Sequence, residues 1–329
     1  MNSAVTVARR AQVTPPFAMR PLVALVFEGL SEDDKRLPSV LFHDMQGIRL
    51  LERLYARREH YHARAERGLI ERHCGEIATL CGPRAALVDY GSATTAATQV
   101  LLAALTAPHS YLPIDREEDL LEAACRDTAR HLPHLVVHAL CQDYRQCVVL
   151  PEVFARAGRR VGLFSGAMFG ELPPLEAAAQ LVWAMGTLGP SAALIVGIDL
   201  MKSPDVHVRA YDDEDGAGAR YNAYPLTRIN RELDGTFQAD AFQHRATWNA
   251  AAQRVETSLE SLRTQLPSLT GIGVPLREGE RLLTQCHHAY TLEGFANLAH
   301  TAGWAIARTW VDEDLGYALE LLEPAKSAA

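Results

Sequence analysis

The sequence predicts an α/β protein with a doubly wound, mostly parallel sheet and a second α+β domain. Between residues 86 and 198, short apolar runs alternate with helical segments, which is the pattern of parallel α/β sheets. After Asp199 the chain becomes polar and this alternation stops, and it returns only near Leu292. We therefore expect one sheet domain that an insertion interrupts.

Each element of the sheet domain follows from apolar spacing and turn residues. A helical spacing ends at Cys81, where Cys81-Gly-Pro stops the helix. Apolar runs bounded by turns then predict strands, and apolar residues three or four positions apart predict helices. The expected elements are helix 63–81, strand 86–90, helix 94–105, strand 111–114, helix 117–131, strand 135–139, strand 160–164, helix 174–188 and strand 192–198.

The rest of the chain is predicted to form an insertion and a C-terminal β-hairpin that completes the sheet. The N-terminal stretch to about residue 64 has no sheet partner of its own, so we expect it to join the insertion. The expected domains are 65–200 plus 288–329, and 17–64 plus 201–287. The expected elements are helices 225–232 and 239–251, strands 254–259 and 272–283, helix 292–302, and strands 304–310 and 315–322.

Composition excludes several classes of protein. The net charge is -8 and no Lys/Arg run is present, which argues against a nucleic-acid partner. No apolar run is long enough to span a membrane. The 6 cysteines form no Cys-x-x-Cys pair, and the first residues carry no hydrophobic signal core. These features favour a cytoplasmic protein with reduced thiols that acts on a small molecule.

A glycine turn and an acidic strand end indicate a nucleotide-like ligand. The strand that ends at Tyr90 runs into Gly91-Ser92, and the next strand ends at Asp115, whose carboxylate can accept hydrogen bonds from ribose hydroxyls. Ala93 and Thr94 stand where a dinucleotide turn would continue with glycines. The pattern therefore favours S-adenosylmethionine, which has a ribose but no phosphate. The structural alternatives are an ordinary strand–helix turn and a helix N-cap at Asp115.

Two further strand ends carry candidate ligand residues. Asp143-Tyr144 follows the third strand, where such sheets hold the adenine, and a surface loop is the alternative. Phe164-Ser-Gly-Ala-Met-Phe-Gly-Glu171 follows the fourth, which makes Gly166 a candidate cofactor contact. Glu171 either faces a cationic substrate group or caps the helix that begins near Pro174.

The chain resembles the histidine-specific Nα-methyltransferases of ergothioneine biosynthesis from about Leu37 to Leu322. That resemblance implies a class I (Rossmann-like) methyltransferase domain that binds S-adenosylmethionine, and a second domain that holds the amino acid. It adds Thr95 to the cofactor residues. The blocks that carry it are Asp199-Leu-Met-Lys202, Ala210-Tyr-Asp-Asp213, Tyr221-Asn222, Leu226-Thr-Arg-Ile-Asn-Arg-Glu-Leu233, Phe242, His244 and Trp248-Asn249.

The sequence departs from that family mainly on the substrate side. The family's Gly-Ser-Gly-Ser-Ser turn is Gly91-Ser-Ala-Thr-Thr95 here. The resemblance implies that His43, His60, Tyr61, Glu171, Tyr211, Gln285 and His287 stand at substrate-binding positions. Of the usual substrate contacts only Tyr211 is retained. Glu171 replaces an asparagine that binds the substrate's α-amino and carboxylate groups, and Gln285 and His287 replace the Glu and Ser that contact the imidazole.

These replacements predict an N-methyltransferase that is not specific for histidine and for which L-histidine is a poor substrate. An ionised Glu171 cannot donate to a carboxylate, so a free α-amino acid in the usual pose would meet repulsion. A small amine, or a guanidinium such as that of arginine, fits Glu171 better. We expect Tyr211 to orient the nucleophile, and either Glu171 or a pocket histidine to take its proton.

Three other hypotheses remain open at this stage. The fold could use S-adenosylmethionine without transferring methyl, as in a cyclisation. The chain could be a degenerate paralogue that binds a ligand without turnover. A metal bound by His43, His60, His287 and Glu171 is a weaker idea, because no metal-ligand spacing supports it, and we expect no metal. We expect a monomer or homodimer, acting in secondary metabolism.

Overall fold

A computed structural model describes residues 6–8, 21–91 and 96–326 of the chain. Its helices are α1 (Leu22–Leu30), α2 (Met45–Tyr55), α3 (His62–Cys81), α4 (Ala96–Ala104), α5 (Glu118–His131), α6 (Pro174–Leu188), α7 (Pro204–Arg209), α8 (Ala217–Glu232) and α9 (Leu292–Thr301).

The strands are β1 (Thr6–Ala8), β2 (Ala85–Tyr90), β3 (Ser110–Asp115), β4 (His138–Cys141), β5 (Arg159–Phe164), β6 (Ala193–Asp199), β7 (Phe242–Asn249), β8 (Arg254–Ser261), β9 (Ser268–Leu269), β10 (Ile272–Gly273), β11 (Arg281–His288), β12 (Trp304–Asp312) and β13 (Tyr317–Pro324). Short 3₁₀ turns lie between several of them, including Gly166–Glu171 after β5.

The chain divides into two compact units. The first unit consists of Met1–Arg9, His62–Met201 and His288–Ala329, and the second of Arg10–Tyr61 and Lys202–His287. Among the described residues, no helix is long and apolar enough to cross a membrane.

The first unit contains an 8-stranded sheet in the order β1-β4-β3-β2-β5-β6-β13-β12. Strand β2 pairs in parallel with both β3 and β5, and β13 is antiparallel to β6 and β12. Apart from β1, this is the order of the class I methyltransferase sheet, so the predicted fold class is confirmed. Because the strands are parallel, the ends of β2, β3, β4 and β5 meet at one edge of the sheet.

Both faces of this sheet are covered, which explains the continuous apolar runs in the sequence. Successive residues of β2 enter opposite cores: Leu87 packs with Leu69 and Ile195, and Val88 packs with Phe164 and others on the other face. All six residues of β2 are buried. The sheet therefore holds the residues that follow each strand in fixed positions.

The second unit combines helices with small sheets. Strands β11, β8 and β7 form a 3-stranded sheet in that order, and β9 and β10 form a 2-stranded one. Its main core joins Val26 of α1, Leu226 and Ile229 of α8, and Leu259 of β8. Helix α8 includes Pro225 in its interior.

Three expectations about local structure were wrong. The predicted helix 239–251 is strand β7, which pairs antiparallel with β8 along its whole length. The N-terminal stretch does have a sheet partner, because Thr6–Ala8 pairs in parallel with β4. The predicted strand 272–283 is two separate strands, β10 and β11.

Candidate functional site

Gly91 lies directly after β2 at the edge of the sheet where the parallel strands end. Its φ of +78° is left-handed, a conformation that favours glycine. Its N–H donates to the oxygen of Ile114 at 3.0 Å. A Cβ at position 91 would lie 2.4 Å from the sulfur of Met168, so no side chain fits there without movement. The turn at Gly91 therefore requires glycine, both for its backbone conformation and for the close packing of Met168, and its role in ligand binding stays a prediction. Ser92 and Thr95 lie outside the described residues.

Asp115 ends β3, beside the end of β2. Its side chain is buried, and one carboxylate oxygen accepts the N–H of Glu117 at 3.1 Å. Burial raises the pKa of Asp115, while the N–H groups of Glu117 and Arg116 oppose that shift. The hydrogen bond to Glu117 is what the helix-capping alternative predicted. It uses the Oδ1 oxygen of the carboxylate.

Asp143 and Tyr144 follow β4. Burial acts to raise the pKa of Asp143, but Arg145 and Arg116 outweigh it and the pKa is lowered. The hydroxyl of Tyr144 donates to the sulfur of Met168 at 3.3 Å. Burial raises the pKa of Tyr144, and the charges of Asp115 and Glu171 add to this shift. Tyr144 therefore lies within electrostatic reach of both acids.

Glu171 ends the 3₁₀ turn that begins at Gly166, directly after β5 and Ser165. Its carboxyl group is half-buried, and burial raises its pKa to about 7. Among the described residues, none donates a hydrogen bond to it or forms an ion pair with it. Helix α6 has Pro173 at its N-cap and no side-chain cap. The prediction that Glu171 caps this helix was therefore wrong.

In the second unit, Tyr211 lies in a cluster of aromatic and imidazole rings. The His287 ring stacks on Tyr211 with centroids 4.0 Å apart and planes 18° apart. The His60 ring meets Tyr211 edge-on at 5.5 Å, and Tyr55 stacks on His60 at 4.8 Å. We call Tyr55, His60, Tyr211 and His287 the ring cluster. Three of its members are residues that the sequence predicted to bind substrate, although 76 positions separate Tyr211 from His287.

The remaining substrate candidates belong to the same unit. Gln285 is buried and lies two residues before His287 on β11, so the two side chains point to the same face of the strand. Tyr61 is buried and accepts a hydrogen bond from the Lys202 ammonium at 2.6 Å. His43 follows a 3₁₀ turn, and its main-chain oxygen accepts from Arg228 at 3.1 Å.

The sequence interpretation missed two residues beside these candidates. The thioether of Met168 covers Gly91, and the Lys202 ammonium lies 3.9 Å from the centre of the Tyr61 ring. No spacing rule could have found either, because each contact joins distant parts of the chain. Within the described ranges, no three His, Cys, Asp or Glu side chains are placed to hold a metal ion. The metal hypothesis therefore has no geometric support there.

Comparisons with known proteins agree on one family. The sequence profile described as "Histidine-specific methyltransferase, SAM-dependent" matches residues 22–324. A histidine N-alpha-methyltransferase of Mycobacterium tuberculosis (strain CDC 1551 / Oshkosh) is 34% identical over 302 residues, which cover 90% of this chain and 92% of that protein. A 4-dimethylallyltryptophan N-methyltransferase of Epichloe festucae var. lolii is 25% identical over 317 residues, 89% of this chain and 92% of that one.

Among solved structures, a Burkholderia thailandensis 1,6-didemethyltoxoflavin-N1-methyltransferase with bound S-adenosylhomocysteine is 11% identical, with a TM-score of 0.46. The match covers 86% of this chain and 90% of that one. The profile match and the mycobacterial relative both extend over most of the sequence. The chain is therefore an S-adenosylmethionine-dependent N-methyltransferase, and it belongs to the histidine-specific methyltransferase family.

Proposed function

We propose that this enzyme methylates the nitrogen of a small amine or amino acid other than histidine, and that Glu171 receives the proton. The observation that carries the proposal is a half-buried carboxyl group with a pKa of about 7 and no protein counter-ion among the described residues. A cationic substrate group would supply the missing partner. A pKa near neutrality also suits a group that must accept and release a proton in each turnover.

We propose that the first unit holds the cofactor. The close approach to Gly91 and the acids at the ends of β3 and β4 fit its methionine, ribose and adenine parts, with Gly166 and Tyr144 beside them. Ser92 and Thr95, which lie outside the described residues, complete this proposed set on sequence grounds alone. When bound, S-adenosylmethionine supplies a methyl group on a positively charged sulfur.

The chain's own residues would then prepare the acceptor nitrogen. The nitrogen must present a free lone pair. A substrate that binds as an ammonium therefore has to lose a proton before methyl transfer, whereas a neutral amine becomes charged on methylation and loses its proton afterwards. During transfer the bond from sulfur to methyl breaks, the bond from nitrogen to methyl forms, and the sulfur becomes neutral. The Glu171 carboxylate accepts the proton that leaves nitrogen. Positioning of the nitrogen contributes the largest part of the acceleration.

We propose that residues 17–64 and 201–287 bind the rest of the substrate. Tyr211 and the ring cluster offer aromatic faces, and Gln285 offers a neutral amide. In the related family a Glu and a Ser contact imidazole at the positions of Gln285 and His287. Here a neutral amide and a bulky ring replace them, which supports a substrate without the imidazole of histidine.

The test is a panel of amino acids and amines, including L-histidine, L-arginine and its decarboxylated form, with methylated products read by mass spectrometry. We expect at least one amine to exceed histidine in kcat/KM by tenfold or more. Glu171→Gln should slow turnover of the best substrate by about 10²–10⁴-fold, the usual range for a general base. The matched control is Glu176→Gln, an exposed acid in the first turn of α6, which should behave as wild type. Efficient methylation of histidine with no better substrate would overturn the proposal.

A further inference from the structure

Asn222 and His244 form a buried hydrogen-bonded pair in the second unit. The Nδ2 of Asn222 donates to Nδ1 of His244 at 2.8 Å, and the other nitrogen of His244 contacts the main-chain oxygen of Tyr211 at 3.1 Å. Asn222 is 1% exposed. Both residues lie in sequence blocks that carry the family resemblance, and neither is used by the proposed chemistry.

The orientation of the Asn222 amide is fixed by its other partners. Its Nδ2 also donates to the oxygen of Ser258 at 2.9 Å, and its Oδ1 accepts from the hydroxyl of Thr284. A flipped amide would place its oxygen against the Ser258 oxygen. The donor to His244 is therefore the amide nitrogen, and Nδ1 of His244 must accept. The proton of the neutral ring is then on Nε2, which donates to the Tyr211 oxygen.

This arrangement joins the segments that carry the substrate candidates. Through His244 it holds the main chain of Tyr211, and through Thr284 it holds β11 one residue before Gln285. Tyr211 and His287 are the two rings that stack at 4.0 Å. A single amide thus connects both sides of that stack by hydrogen bonds.

We propose that Asn222 and His244 are positioning residues, which set Tyr211 against His287 in the geometry that binds the acceptor substrate. The inference rests on the proposed function, since it takes the ring cluster as part of the substrate site. The inference adds that the geometry of Tyr211 and His287 requires an uncharged His244. A second proton on Nδ1 would face the Asn222 amide hydrogens and break the link.

The charges around His244 allow the neutral form. Burial lowers the pKa of His244, and Asp212 at 3.8 Å, with Asp213, acts in the opposite direction. Arg245 on the same strand adds to the lowering. The lowered pKa keeps the ring neutral at pH 7, and charging it requires a more acidic pH than an ordinary histidine needs.

The test uses His244→Phe, which keeps a ring of similar size but removes both hydrogen bonds, and Asn222→Asp, which keeps the shape but cannot donate. His244→Gln is the conservative variant, because its amide can still donate to the Tyr211 oxygen. His300→Gln, at an exposed position at the end of α9, is the control. The readouts are KM for the best amine, affinity for S-adenosylhomocysteine, and the NMR shifts of the His287 ring protons, which a stacked Tyr211 displaces.

We expect His244→Phe and Asn222→Asp to raise KM about tenfold, to move the His287 shifts and to leave cofactor affinity unchanged. His244→Gln should recover part of the affinity. The wild-type KM should rise as the pH falls, and this dependence should be weaker in His244→Phe, where only the protonation of Glu171 still contributes to it. Unchanged His287 shifts, an unchanged KM, or an equal loss of cofactor affinity in folded Asn222→Asp would each overturn the inference. If no amine is methylated at all, the proposed function fails, while the NMR shifts still decide whether His244 holds Tyr211 in place.

Discussion

At the scale of single residues, Glu171 is half-buried, so a positive charge beside it strongly affects the ionisation of its carboxyl group. Burial raises the pKa of its carboxyl group to about 7, so roughly half of the molecules carry the charge at neutral pH. A cation beside it would favour the ionised form and lower that pKa. Each unit of pKa corresponds to about 1.4 kcal/mol, or a tenfold change in binding. The protonation of Glu171 should therefore be coupled to the charge of whatever binds next to it.

This coupling predicts a pH dependence that differs between cofactor and product. S-adenosylmethionine carries a charged sulfur and S-adenosylhomocysteine does not. Because ionised Glu171 favours the charged ligand, the affinity ratio of the two should rise up to about tenfold as pH increases from about 6 to 8. Calorimetry with each ligand at three pH values measures this affinity ratio. In Glu171→Gln the ratio should not depend on pH, and a wild-type ratio that stays constant or falls would refute the coupling.

The ring cluster predicts how the substrate preference can be changed. His287 lies 4.0 Å from Tyr211 at a position where the related family has a serine, and Gln285 is neutral where that family has a glutamate. Gln285→Glu together with His287→Ser restores both the space and the charge. We expect kcat/KM for L-histidine to rise at least tenfold, and that for the preferred amine to fall. Gln285→Glu alone serves as the comparison, and no gain on histidine in the double variant would count against the assignment.

Candidate residues can be picked from the sequence where one short segment contains all the residues of a motif. Gly91 and Asp115 were placed correctly at the ends of two neighbouring strands, because each strand and the residue that follows or ends it are consecutive in the chain, and their roles as ligand contacts stay predictions. The neighbours of these residues were not found: Met168 covers Gly91 from a different strand end. The Tyr211–His287 stack likewise joins the turn after α7 to β11, two segments that are far apart in the sequence.

At the scale of elements, prediction succeeded for buried strands and failed for exposed ones. All six residues of β2 are buried, so their apolar run is unambiguous. Strand β7 has mostly half-buried or exposed residues, so no continuous apolar run marks it as a strand. Its pairing with β8 decides its conformation, because cross-strand contacts outweigh local propensity. Strand β1 is three residues long and acquires its structure only through β4.

Strand β13 carries a buried acid whose ionisation opposes folding. Glu320 is 1% exposed, accepts a hydrogen bond from Thr309 at 2.7 Å, and has a pKa of about 7 because burial raises it from 4.5. Above pH 4.5 the unfolded chain ionises this group while the folded protein keeps it protonated. The free energy of unfolding therefore falls as pH rises, and the loss is complete just above pH 7.

We therefore expect Glu320→Gln to stabilise the protein at pH 8. The gain should be at most about 3 kcal/mol, the free energy that the difference between the two pKa values corresponds to, and it should vanish below pH 4.5. Denaturant unfolding at pH 5 and pH 8 measures the difference between variant and wild type. The control is Glu313→Gln, an exposed acid in the turn between β12 and β13, which should show no such gain. A variant that is less stable than wild type at pH 8 would show that Glu320 is ionised and paired in the folded state.

At the scale of the whole molecule, the candidate residues separate by unit. Gly91, Asp115, Asp143, Tyr144 and Glu171 belong to the first unit, and His43, His60, Tyr61, Tyr211, Gln285 and His287 to the second. Each group is held by its own core, one on the parallel sheet and the other on α8 and its sheet. Glu171 is proposed to face both ligands, so we expect independent changes in cofactor and acceptor binding only from the other residues of each unit.

That independence is testable with one substitution in each unit. Asp115→Ala removes a buried carboxylate that we propose accepts hydrogen bonds from the ribose hydroxyls. Affinity for S-adenosylhomocysteine should therefore fall about ten- to a hundredfold, the usual contribution of charge-assisted hydrogen bonds. KM for the amine at saturating cofactor should stay within about twofold. Tyr211→Phe should do the reverse, raising KM for the amine while cofactor affinity is unchanged. Asp119→Ala, at an exposed acid in the first turn of α5, controls for loss of charge near that helix. If Asp115→Ala binds the cofactor product as tightly as wild type, Asp115 serves only the hydrogen bond to Glu117 and the cofactor lies elsewhere on the sheet edge.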